Sequence, residues 1–222
     1  MTAMILAAGL GSRMRPLTNN TPKPLLEIGG KPLIVWHIEQ LEEAGFTDIV
    51  INVAYLGQQI IQYLGDGSKF GVNILFSDEQ NEGALETAGG IVKALDKLSD
   101  TFLVVNGDVW TDYNYCNNFE LSEEKLAHLV LVKNPEHNLK GDFLLTGTDE
   151  KYTFSGIAYY SKRLFMPLSY GKAPLAPLLF DAVVKNKVIT EYHDGSWHDI
   201  GTPERLELLD NILKNNTQHE YM

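Results

Sequence analysis

Between Leu6 and Thr18 the chain reads Leu-Ala-Ala-Gly-Leu-Gly-Ser-Arg-Met-Arg-Pro-Leu-Thr, and Lys23 follows between Pro22 and Pro24. Small residues let backbone N–H groups close on an anion, while Arg13 and Arg15 offer planar forks and Lys23 a point charge. That combination suits the phosphates of a nucleoside triphosphate. A lone Gly-x-Gly is as readily a solvated turn; the full run, with its cations and prolines, favours a phosphate loop. No Gly-Lys-Ser/Thr closes a Walker loop, and no third glycine stands at the Rossmann spacing. Lys23 must therefore reach in from a separate segment.

A second group of residues could hold a metal. Phe102 to Asp108 (Phe-Leu-Val-Val-Asn-Gly-Asp) puts a carboxylate just past the carboxyl end of an apolar strand, where open α/β sheets bind ligands. Trp197 to Thr202 (Trp-His-Asp-Ile-Gly-Thr) supplies a second carboxylate, Asp199. Each has a plain alternative: Asp108 as a turn cap, and Asp199 as the approach to a helix that starts at Thr202-Pro203. Two carboxylates beside a triphosphate suit Mg²⁺, which takes oxygen ligands and leaves positions to phosphate and water. His198 is expected to pack or hydrogen-bond instead, since imidazole suits softer metals. In this arrangement Arg13, Lys23 and Asp108 are the catalytic residues. A sugar-phosphate oxygen would attack the α-phosphorus directly, with no protein nucleophile.

Composition narrows the class. With 222 residues and 44% hydrophobic content the chain can bury one full core, and a single domain over 1–222 is expected. Residues 1–110 would be mainly the nucleotide-binding half and 111–222 mainly the sugar-phosphate half. A net charge of −11 argues against a nucleic-acid surface, which needs a basic stripe. Against that acidic background Arg13, Arg15, Lys23 and Lys31 gather near the glycines and suggest a local anion pocket. No run of about 18 apolar residues suggests a membrane span. A soluble, cytoplasmic protein is expected, as a monomer or small homo-oligomer. Cys116 is the only cysteine, which leaves neither an intramolecular disulfide nor a thiolate metal cluster, and it is expected to be a packing residue.

The elements that must position these residues alternate. Strands are expected over Met4–Leu6, Asp48–Val53, Val72–Phe76 and Thr101–Val105, with helices over Lys31–Ala44, Gly57–Leu64 and Thr87–Leu98. Such alternation implies parallel βαβ units with helices on both faces. Strands at Leu126–Val132, Phe143–Thr146 and Thr153–Tyr160 and helices at Leu175–Lys185 and Pro203–Lys214 would complete the sheet and add a substrate-facing wall. The polar tail, Asn215 to Met222, is expected to fray. Trp36, Trp110, Tyr55 and Phe70 read as core residues, and His37 as a satisfied, partly buried histidine.

The opening motif with Pro22-Lys23-Pro24, joined to Asn106-Gly107-Asp108, resembles the sugar-1-phosphate nucleotidyltransferases. Val105 to Tyr113, Leu85-Glu86-Thr87, Gly141-Asp142-Phe143, Phe154-Ser155-Gly156-Ile157 and Trp197 to Thr202 are similar to the branch that uridylylates N-acetylmuramate α-1-phosphate. The resemblance implies a Rossmann-like three-layer α/β sandwich with a mixed, mostly parallel sheet. It also implies transfer of UMP from UTP to N-acetylmuramate α-1-phosphate with Mg²⁺, in peptidoglycan recycling. Carried over by motif, Leu10, Gly11, Ser12, Arg13 and Lys23 would hold the triphosphate, and Gly83 and Ala84 would lie close to the pyrimidine. Asp108 and Asp199 would hold the metal, and Asn106, Gly141, Asp142, Ser155 and Gly156 would line the sugar. Alternatives are the same reaction on glucose or mannose 1-phosphate with dTTP, UTP or GTP, or on phosphocholine with CTP. From another class comes a non-catalytic regulatory protein that binds nucleotide sugars, against which Lys23, Asp108 and Asp199 speak.

Overall fold

The segments Thr2–Leu6, Asp48–Val53 and Thr101–Asn106 are apolar at nearly every position, as strands covered on both faces must be. In the computed structural model, which describes residues 1–219, they form the middle of one sheet. In chain order the strands are β1 (Thr2–Leu6), β2 (Glu27–Ile28), β3 (Lys31–Pro32), β4 (Asp48–Val53), β5 (Asn73–Asp78), β6 (Thr101–Asn106) and β7 (Val109–Thr111). They continue as β8 (Ala127–Val132), β9 (Phe143–Leu144), β10 (Lys151–Ser161), β11 (Val188–Tyr192) and β12 (Trp197–Asp199). The helices are α1 (Leu33–Glu43), α2 (Gly57–Leu64), α3 (Glu86–Ala94), α4 (Leu175–Val184) and α5 (Pro203–His219).

The main sheet runs β11-β8-β10-β6-β1-β4-β5, with β9 on the flank of β10. Every pairing along that path is parallel except those of β10, which is antiparallel to both β6 and β8. Side chains alternate across the sheet. Ala3, Ile5, Ile49, Ile51, Leu103 and Val105 face one core with Ile34, Ile38 and Leu41 of α1 and Ile60 of α2. Met4, Val50, Phe102 and Val104 face the other with Ile91 of α3 and Leu179 and Ala182 of α4. The result is the expected three-layer α/β sandwich with a mixed, mostly parallel sheet. A third cluster, Met14, Ile28, Leu33, Ile200, Leu209 and Leu213, seats α5 against the segment that follows β1.

Chain order reverses between β1 and β6, so the loops leaving these two neighbouring strands diverge and open a crevice at their carboxyl ends. Several boundaries differ from expectation. Lys31–Pro32 forms a small hairpin with Glu27–Ile28, and α1 begins only at Leu33, because Pro32 is extended. The helix expected to reach Leu98 stops at Ala94 and tightens into a 3-10 turn over Leu95–Lys97. The pairs β2–β3 and β7–β12 and the edge strand β11 carry too short a pattern to announce themselves. The tail expected to fray is helical through His219, and Glu220 to Met222 lie outside the described residues. Among the described residues no helix is long and apolar enough to cross a membrane.

Candidate functional site

Residues 7–11 leave β1 and enter a 3-10 turn at Ser12–Met14. Gly11 turns the chain at φ +60°, and a Cβ there would sit 3.0 Å from the Thr18 methyl group. The Thr18 hydroxyl in turn donates to the Gly11 carbonyl at 2.8 Å and closes the loop on itself. Leu10, Gly11 and Ser12 have backbone N–H groups without an acceptor among the described residues. Ala7 N–H instead donates to Asn52 Oδ1 at 2.8 Å. Asn52 Nδ2 donates to Glu79 Oε1 at 2.8 Å, and Glu79 Oε2 accepts Leu85 N–H at 2.9 Å. Glu79 is fully buried. This pair of side chains joins the phosphate loop, the end of β4 and the start of α3, and sequence reasoning did not single it out as a unit. The only hint was Asn52 as a polar residue near the end of the largely apolar β4.

The two carboxylates arrive by different routes. Asp108 follows β6 directly, and Lys23 Nζ donates to its Oδ2 at 2.8 Å. Asp199 ends β12, which pairs antiparallel with β7 so that Asp199 faces Val109. Ile200 N–H then donates to the Asp108 carbonyl at 2.9 Å. A two-strand ribbon thus sets two residues far apart in sequence side by side. Asp199 Oδ2 accepts Arg205 Nη1 at 2.6 Å and lies 3.4 Å from His137 Nε2. Each carboxylate is therefore held by a cation through one oxygen. Arg13 has no ion-pair partner among the described residues. It approaches from the loop side of Gly201, where a Cβ would lie 3.5 Å from Arg13 Nη1 and 3.2 Å from Arg205 Nη1.

Two adjoining chambers open here. The first, about 410 Å³, is lined by residues 6–14, Lys23, Asn52, Glu79, Ala84 and Asp108, among others. The second, about 540 Å³, is walled by Phe143, Phe154, Leu175, Leu179 and Phe180 with Asp142. Glu86, Thr87 and Asn106 belong to both. Asn106 owes its position to Gly156, at φ +82°, where a Cβ would come within 2.6 Å of Asn106 Cγ.

The remaining expected site residues fall around these chambers. Ala84 lines the first, while Gly83 stands outside both. Gly141 turns at φ +62° against the backbone of Lys151 and precedes Asp142 without lining a chamber. Ser155 is buried, and its hydroxyl donates to the Val130 carbonyl at 2.7 Å and accepts Ile157 N–H at 3.1 Å. It therefore stabilises the register shift in β10 that presents Gly156. His198 packs its ring on Trp110 at 5.9 Å, and burial lowers its pKa. His37, expected to be partly buried and satisfied, is 1% exposed, and neither ring nitrogen has a well-formed hydrogen bond. Burial pulls its pKa down to about 4, against the opposing influence of Asp108 and the Val109 backbone. Cys116 packs against the first core, its thiol 3.0 Å from Asn118 Oδ1.

A glycine loop with free amides, a lysine from a second segment and Asp108 line the first chamber, while Asp199 stands on the neighbouring ribbon and lines neither chamber. A family model described as nucleotidyl transferase matches residues 2–143, and the chain belongs to that family. It is 50% identical to the N-acetylmuramate alpha-1-phosphate uridylyltransferase of Neisseria meningitidis serogroup B, over 93% of this chain and 96% of that protein. It is 30% identical to the choline-phosphate cytidylyltransferase of Streptococcus pneumoniae, over 97% of this chain and 99% of that one. Among solved structures, the CTP:phosphocholine cytidylyltransferase of S. pneumoniae superposes with a TM-score of 0.74 at 25% identity, over 96% of this chain and 99% of that one. HddC of Yersinia pseudotuberculosis shares the fold, with a TM-score of 0.79 at 23% identity over 96% of this chain and 99% of that one.

Proposed function

We propose that this nucleotidyltransferase moves UMP from UTP to N-acetylmuramate α-1-phosphate, with Mg²⁺, forming UDP-N-acetylmuramate and pyrophosphate. The observation that supports the chemistry is the β7–β12 ribbon, which brings the backbone of Asp199 and Ile200 against Val109 and Asp108 at the edge of the first chamber, which Asp108 lines and Asp199 does not. Among the described residues no cluster of three or more His, Cys, Asp or Glu could hold a metal. Two carboxylates alone fit Mg²⁺, which fills its remaining positions with phosphate oxygens and water. Bound there, it would supply charge neutralisation for the phosphoryl oxygens.

The chain's own residues do the rest. The amides of Leu10 to Ser12 and the Arg13 guanidinium bind the triphosphate, and Lys23 exchanges Asp108 for a phosphate oxygen. Asn106, shared by both chambers, orients the acceptor. The acceptor's phosphate oxygen is already ionised near neutral pH, so its attack needs no general base. A bond forms from that oxygen to the α-phosphorus, the bond from the α-phosphorus to the bridging oxygen breaks, and pyrophosphate leaves. Gly11, Ala84 and Lys23 would hold the nucleotide side; Gly141, Asp142, Ser155 and Gly156 shape the acceptor side, two of them through backbone alone. On this reading the protein serves peptidoglycan recycling in the cytoplasm, on soluble substrates.

One observation favours a second reading. The acceptor chamber has three phenylalanines and two carboxylates, Glu86 and Asp142, and its lining includes no Lys or Arg. Such a lining suits a quaternary ammonium as well as a sugar, which supports phosphocholine with CTP. Pyrophosphate release measured with four nucleotides against N-acetylmuramate, N-acetylglucosamine and glucose 1-phosphates and phosphocholine decides between them. The first reading expects the highest kcat/KM for UTP with N-acetylmuramate 1-phosphate. A higher value for any other pair overturns it.

A further inference from the structure

Arg205 stands in the first turn of α5, whose start is set by the Thr202 hydroxyl accepting Arg205 N–H at 3.4 Å and by Pro203. Its fork is divided. Nη1 donates to Asp199 Oδ2 at 2.6 Å, and Nη2 lies 3.0 Å from His137 Nδ1. A guanidinium only donates, so Nδ1 accepts and the imidazole hydrogen sits on Nε2, aimed at Asp199 Oδ2 3.4 Å away. The three side chains close a ring. Its only member outside the α5 and β12 region is His137, in the 3-10 turn Glu136–Asn138.

The next residue of that turn is bonded to a residue that lines the acceptor chamber. Asn138 Nδ2 donates to Asp142 Oδ1 at 3.0 Å and to Thr153 Oγ1 at 3.1 Å. Asp142 Oδ2 accepts Phe154 N–H at 2.9 Å, and both Asp142 and Phe154 line the chamber. One short turn is thus pinned at His137 to the carboxylate beside the nucleotide and at Asn138 to the wall around the acceptor.

We propose that Arg205 and His137 are positioning residues that fix the acceptor wall relative to Asp199, so that the acceptor phosphate is presented in register with the carboxylate pair. The role of Asp199 in this proposal rests on the function given above. A single charge cannot do this work: the device needs two donors of one rigid group, spaced to reach a carboxylate and an imidazole together.

The test combines a ligand-free and a kinetic readout. In the ligand-free protein, hydrogen exchange of residues 136–142 should speed up by about tenfold in Arg205→Ala, since local opening follows the loss of tertiary ties. In turnover, Arg205→Ala should raise KM for the acceptor by about tenfold, the lower range for residues that support a ligand shell, with KM for UTP changed less than about twofold. Arg205→Lys keeps the charge and one bond, and should show the same raised acceptor KM. His137→Ala should match it. Faster exchange with an unchanged acceptor KM overturns the proposal, as does wild-type behaviour of Arg205→Lys or unchanged exchange in Arg205→Ala. If the wild type transfers a nucleotide to no sugar 1-phosphate, the functional reading fails instead, and the exchange experiment still decides whether the ring holds the turn.

Discussion

Lys23 Nζ and Asp108 Oδ2 lie 2.8 Å apart across 85 residues of chain, and the lysine is the more buried partner, with 11% of its side chain exposed against 39% for the aspartate. The pair brings together the lysine of the Lys23–Leu25 turn and the carboxylate that follows β6, so that each neutralises the other.

Replacing Asp108 by Asn should lower turnover by at least about 100-fold, the scale of losing one charge-stabilising group in a phosphoryl-type reaction. The melting temperature should stay within a few degrees, since a partly exposed ion pair contributes little to stability. Pyrophosphate release against Mg²⁺ concentration, alongside a thermal melt, checks both. Activity near that of the wild type removes Asp108 from the mechanism.

Lys23→Ala should raise KM for UTP while leaving the ranking of acceptors unchanged. Initial rates with two acceptors at varied UTP are sufficient. A changed ranking argues that Lys23 serves the acceptor.

His37 makes stability depend on pH. Its pKa falls from 6.5 to about 4 on folding, so between these values the unfolded chain binds more protons. The stabilising contribution is complete above about pH 6.5 and is lost as pH falls toward 4. Its full size is about 3 kcal/mol, from about 1.4 kcal/mol per pKa unit. Urea unfolding at pH 7 and pH 4.5 should show this loss in the wild type and a shallower dependence in His37→Leu. Equal slopes in the two proteins would exclude His37 as the source.

Gly156→Ala should cost about 1–3 kcal/mol, because φ +82° is strained for alanine and its Cβ would press on Asn106. Since Asn106 borders both chambers, kcat should fall together with stability. Thermal melts and kcat on the same preparation test this, and an unchanged kcat shows that Asn106 is not displaced.

Glu79→Gln keeps the shape but turns an amide N–H₂ toward either Asn52 Nδ2 or Leu85 N–H, both donors. A cost of about 1–3 kcal/mol is expected for the buried mismatch. KM for UTP should rise, because the start of α3 and the phosphate loop lose their common anchor. A variant as stable as the wild type would mean that the network relaxes freely.

Much of this protein was legible in local pattern. The apolar runs of β1, β4 and β6 and the stripe of Leu33, Ile34, Ile38 and Leu41 specify buried strands and a covering helix, because a strand covered on both faces must be apolar throughout and a helix brings every third or fourth residue to one face. The glycine loop, Lys23 and Asp108 could be read as ligand-binding residues, because small side chains and unpaired charges at the ends of strands are costly unless they serve something. Only the tertiary structure decided the partners. The Asp199–Ile200 segment meets Asp108–Val109 through a ribbon of three-residue strands too short to have a period, Glu79 is tied to Asn52 and Leu85, and Arg205 closes on His137. Those contacts join residues distant along the chain, and their geometry depends on how helices and loops pack over the sheet, which no window of neighbouring residues contains.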